Sequence, residues 1–234
     1  MKHIYTFLFM ILMLIGVQEI NAQKDNIPLE PKLEQQSERL LIKIGMISKT
    51  KPAKLKFGDF ATIDPKGASV RETDRTELDF SFIVVNQKRD SAFVEGVKNS
   101  SKAGHIAEKD MSVYITTSID QDDLWVLLMT KTPGTSEFSL KNIYLTNGDD
   151  EITFNQVIGE QKGNYPETAP KGIEAFIDGN PIGAMQYYSG GSFSYKKYIW
   201  ISNQFDAQMQ LVVAAVFSSM MEIADYFEDD TITD

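Results

Sequence analysis

Residues 208–227 read "QMQLVVAAVFSSMMEIADYF", and whether this stretch crosses a membrane or fills a core decides the fold. Its unbroken apolar run, Leu211 to Phe217, has only 7 residues, and Glu222 and Asp225 follow soon after. The uncharged stretch from Ala207 to Met221 falls short of the roughly 20 residues that a span requires. No span is therefore predicted. Asp206 precedes the stretch as an N-cap, and Ala207 to Phe227 holds no Gly or Pro, so a helix is predicted over 207–227. Leu211, Val212, Val213, Ala214, Ala215, Val216 and Phe217 point in every direction around its axis. A helix with no polar face must be surrounded by protein. Leu211, Val212, Val213, Val216, Phe217 and Met220 are its expected core contacts.

The surrounding material is β-like. In "ELDFSFIVV", Leu78, Phe80, Phe82 and Val84 fall on one face, the period-2 signature of a strand. Comparable runs are 40–47, 55–62, 91–97, 111–118, 124–131, 138–146, 151–158, 173–177, 181–188, 191–195 and 198–202. Tight-turn signals separate them, above all the Asn-Gly of "NGDD" and the Asp-Gly of "DGNP". In "FSLKNIYLT" the apolar row changes phase, which predicts a β-bulge near Lys141 and Asn142. Twelve short strands and one all-apolar helix predict a mainly β fold, a closed antiparallel barrel of about 12 strands around the helix, spanning residues 40–228. Small residues at 214, 215, 218 and 219 would let the wall approach closely.

"YIWISNQFDAQMQLVVAAVFSSMMEIADYFE" resembles the ending of the phospholipid scramblases, in which a strand leads through an aspartate-containing turn into an apolar helix with acidic and aromatic residues after it. "FIDGNPIGAMQYYSGG" resembles the strand-turn-strand pair that precedes this ending. The resemblance is to the tubby-like superfamily, which also contains the LURP-one-related proteins, and it covers about 55 residues well. It implies the same barrel threaded by a helix. The family's phosphoinositide-binding basic residues find no matching motif here, and "NQFDAQ" supplies one acid where the scramblases carry an acidic calcium-binding segment.

Residues 1–22 carry Lys2 and His3, then the 14-residue apolar stretch Ile4 to Val17, then Ala22 as a cleavage position. This is the layout of a secretory signal peptide, which places the mature chain in the periplasm or outside the cell. Ile20 is larger than usual for the third position before the cut, so an uncleaved anchor is the alternative. Residues 23–39 are polar with two prolines and read as a linker or a loosely attached arm; 229–234 form an acidic tail. There is no cysteine. The mature chain therefore relies on its core, without disulfides or an N-terminal lipid.

The net charge of −10 opposes binding to nucleic acid or to anionic membranes at large. Five lysines nevertheless fall between Lys43 and Gly58 with no acid among them. Four of these, Lys49, Lys51, Lys54 and Lys56, are the candidate binding residues for a lipid headgroup or polyanion; a solvated hairpin is the simpler reading. The one histidine after the signal, His105, lies in a polar loop without a nucleophile motif. Asp120, Asp122 and Asp123 in "SIDQDDLW", and Asp149, Asp150 and Glu151 in "NGDDE", match no calcium-loop pattern and sit where turns are expected. No metal and no cofactor are predicted. The sequence reads as an exported, non-catalytic binding module for a lipid, small molecule or protein partner. The alternative is a secreted hydrolase using carboxylates at a barrel end.

Overall fold

A computed structural model describes residues 26–45, 52–69, 78–100, 109–131, 138–161, 169–190 and 196–224. The expected signal peptide and acidic tail, Lys49, Lys51, His105 and the predicted strand 191–195 lie outside them.

Thirteen antiparallel strands form one sheet: β1 (Leu40–Leu41), β2 (Lys43–Ile44), β3 (Leu55–Phe57), β4 (Phe60–Ser69), β5 (Leu78–Val85), β6 (Ser91–Ser100), β7 (Lys109–Thr117), β8 (Leu124–Lys131), β9 (Phe138–Thr146), β10 (Glu151–Ile158), β11 (Lys171–Ile177), β12 (Asn180–Tyr188) and β13 (Tyr198–Ile201). From β2 to β13 each strand pairs with its neighbour in sequence, giving an up-and-down meander. The two ends of that meander meet on a single segment. Leu40 and Leu41 pair with β13, whereas Lys43 and Ile44 pair with β3. Ile42, between them, donates its N–H to Lys197 O at 2.9 Å and buries its side chain. The barrel predicted from the strand pattern is therefore formed. Two predicted strands are each divided, 40–47 at Ile42 and 55–62 at the Gly58–Asp59 turn, where Gly58 takes φ 50°.

Alternation sends one row of each strand inward. Phe80, Phe82, Val84, Val94, Val113, Ile115, Trp125, Leu127, Leu145, Ile152 and Ile173 join a single buried cluster with Leu211 to Phe217. The cluster forms around a helix, α2 (Ala207–Ile223), which packs against β4 to β7 on one side and β12 and β13 on the other. All six expected core residues of this helix are buried, and Asp206 caps it by accepting from Met209 N–H at 2.8 Å. Ser218 and Ser219, wholly buried, donate to Ala214 O and Ala215 O one turn back. That bond satisfies hydroxyls for which an apolar lumen has no partner. The closest approach is made by the wall as well as the helix: a Cβ on Gly183 would lie 2.8 Å from Val213 Cγ1 and 2.9 Å from Phe217 Cε2.

The predicted phase shift in β9 has a structural counterpart. Met129 pairs with Ile143 and Lys131 with Phe138, so two steps along β8 face five along β9. The "DGNP" turn has Asp178 at φ 50° and Gly179 at φ 71°, the left-handed pair of a two-residue hairpin. Lys43, Lys56, Glu95 and Glu151 are exposed on the outer surface, while the lumen is apolar. Membrane barrels have the opposite arrangement. No described helix is long and apolar enough to cross a membrane.

Residues 26–39, expected as part of a polar linker or loosely attached arm, pack against the barrel. Pro31 starts a short helix, α1 (Pro31–Gln36), and the segment lies as a strap on the outer wall of β11 to β13. Ile27 and Leu33 are buried there against Ala184 and Trp200. Backbone hydrogen bonds complete the seat: Ile27 N–H donates to Gln186 Oε1 at 3.1 Å, Glu30 N–H to Glu174 Oε1 at 2.9 Å, and Asn203 N–H to Gln36 O at 2.8 Å. Two apolar side chains and satisfied amides hold what composition alone marks as free chain.

Candidate functional site: the acidic rim

In a meander, alternate connections share one end of the barrel. The turns after β3, β5, β7, β9 and β11 gather at the end where α2 begins. These turns, with the β13–α2 connection, bring together Asp59, Asp90, Asp120, Asp122, Asp123, Asp149, Asp150, Asp178 and Asp206; the turns themselves carry two bases, Lys88 and Arg89, and Lys32 of the N-terminal strap reaches Asn180 beside them. Asp suits tight turns because its side chain accepts from nearby backbone N–H groups. The positive end of the helix dipole, which points into this ring, favours negative charge.

Two of the turns enclose a cleft of about 620 Å³, lined by Asp120, Asp122, Asp123, Leu124 and Val126 on one side and Thr146, Asn147, Gly148 and Asp149 on the other. Asp120, Asp122 and Asp123 of one sequence cluster thus share a cleft with Asp149 of the other. A second cleft of about 360 Å³ lies between the Asp59 turn, the 86–90 turn and the start of α2.

The carboxylates of the larger cleft have different tasks. Asp123 accepts from Trp125 Nε1, Asn147 Nδ2 and Gln208 Nε2, each at 2.8 Å. It ties strand, neighbouring turn and central helix together, a structural role that commits both oxygens. Asp120 Oδ1 accepts from Asp122 N–H at 3.1 Å, and Asn147 Oδ1 accepts from Asp149 N–H at 3.1 Å and Asp150 N–H at 2.7 Å. These bonds hold the turns open and leave the Asp122 and Asp149 side chains exposed at the mouth. Among the described residues no group of three or more His, Asp or Glu side chains is arranged to hold a metal ion.

Of the four candidate lysines, Lys54 and Lys56 lie among the described residues. Lys54 and Lys56 are exposed on and beside β3, with Lys56 opposite Lys43 in the β2–β3 pair, and neither lines a described cleft. The aromatic residues near the C-terminus divide between roles: Trp200 and Tyr198 face outward, as a binding surface would, but the strap covers Trp200, and Arg39 stacks 4.7 Å over the Tyr198 ring. Comparison with protein-family models, with curated proteins and with solved structures returns no match.

Proposed function

We propose that this protein is an exported, non-catalytic binding module of tubby-like architecture that takes a cationic ligand at the rim cleft between the 118–123 and 147–150 turns. The convergence of Asp120, Asp122 and Asp149 on one open cleft, beside Leu124 and Val126, carries this reading. Export rests on the signal-like residues 1–22, and the tubby-like assignment on the strand-turn-helix of the C-terminus. With the lumen filled by α2, ligand recognition is left to the rim and outer wall. Titration of the mature protein with a polyamine and with a short lysine-rich peptide tests the reading by calorimetry. Binding should weaken with salt and drop about tenfold or more in Asp122→Asn/Asp149→Asn. Equal binding by the double variant, or no binding by the native protein, rejects it.

The same convergence favours one competing reading, a hydrolase with two carboxylates across the cleft mouth. Turnover of chromogenic glycosides by the native protein, abolished in Asp120→Asn or Asp149→Asn, would decide for it.

A further inference from the structure

Glu174 is the one buried charged side chain among the described residues, at 4% exposure. It points outward from β11 and is sealed in by the strap, whose Glu30 N–H it accepts. Close by, Ile27 N–H is held by Gln186, itself wholly buried and donating to Ser189 Oγ at 2.9 Å. The fit beneath is tight. A Cβ on Gly172 would lie 2.5 Å from Ile27 Cδ1, so wall and strap touch without a gap.

We propose that residues 26–36 are a proton-controlled latch, seated on β11 to β13 while Glu174 is neutral and loosened when Glu174 ionises. A carboxylate in this position has lost water and gained one described hydrogen bond. The strap brings a second acid to it, Glu30, while Glu34 belongs to the exposed side of α1 and Lys32 reaches away to Asn180 at the rim. The neighbouring positions across the sheet are neutral, Asn155 on β10 and Ala184 on β12; Lys171 stands at the start of β11. Burial pushes the Glu174 carboxyl up from its ordinary value, the Glu30 N–H opposes that rise, and the Glu30 charge adds to it.

The sign follows. A seated Glu174 keeps its proton at a pH where a lifted one has lost it. Seating is thus strongest below the ordinary carboxylate range and weakens as pH rises through the seated value. Lifting the strap uncovers Trp200 and Ala184, an apolar wall otherwise closed to partners.

Amide hydrogen exchange on the full mature chain tests the latch at Ile27 and Glu30, with intrinsic rates divided out. Protection should fall as pH rises above the ordinary carboxylate range, by at most about tenfold per pH unit, and level off once Glu174 is ionised in the seated state as well. In Glu174→Gln, which keeps the acceptor and the shape, protection should be high and flat. Three results would overturn the latch: pH-independent protection in the native chain, a slope that survives in Glu174→Gln, or a parallel change at the core amide of Val213.

Discussion

Gln208, at the start of the central helix, donates its side-chain Nε2 to Asp123 Oδ2 on the rim at 2.8 Å. Through this bond the helix is fastened to the barrel wall by a residue that also receives Trp125 and Asn147.

Asp123→Ala leaves three donors without their acceptor. At about 1 kcal/mol for each of the three bonds in this half-exposed setting, the cost should be about 3 kcal/mol. Thermal unfolding reads the loss as a fall of several degrees; Asp123→Asn, which keeps part of the acceptor capacity, should fall less. No change in Asp123→Ala would mean that the three bonds are equally well made to water.

Gly183→Ala should destabilise by about 1–3 kcal/mol, because its Cβ meets Val213, Phe217 and the Trp200 carbonyl all within 2.9 Å. Gly183→Val should do worse. Urea denaturation with an unchanged m-value measures it; a neutral alanine would show that the helix has room to move off the wall.

Leu33→Ala separates a packed strap from a free linker. Leu33 is wholly buried, so its truncation should cost about 2–4 kcal/mol and raise quenching of Trp200 fluorescence. An unattached segment would lose nothing on either measure.

Phe217 and Phe93 test which way the barrel faces. Phe217, at 0% exposure, should cost about 3–5 kcal/mol on truncation to alanine. Phe93, 47% exposed on the outer wall, should change stability by no more than about 0.5 kcal/mol. The reverse order would contradict an apolar lumen.

The elements best read from sequence are those whose pattern has one cause. The alternation of Phe80, Phe82 and Val84 depends on the lumen alone, and Leu211 to Phe217 could be apolar all round only by being enclosed. The packing of the strap is not legible in the sequence, because two prolines and several charges mark a linker or loose arm, while the residues that dock it, Ile27 and Leu33, are isolated. A signal did exist on the receiving side: Ala184 and Trp200 are apolar on the outward face of β12 and β13, a wall buried on both sides. The rim cleft was legible only as two separate acidic turns. Their meeting depends on β8 and β9 running antiparallel between them, a pairing that no local pattern states.

The pairing of Leu40 with Ile199 sets a condition on how the molecule comes into being. The first stave of the ring waits for the last, and the plug that the ring encloses is later still in the chain. A hollow intermediate would turn Phe82, Trp125 and Leu127 toward water, so wall and plug must be acquired together. A chain delivered from its N-terminus therefore stays vulnerable to aggregation until nearly all of it has arrived. Ending the chain at Gln204 should abolish cooperative melting altogether, and a truncated barrel that still melted sharply would refute this order of assembly.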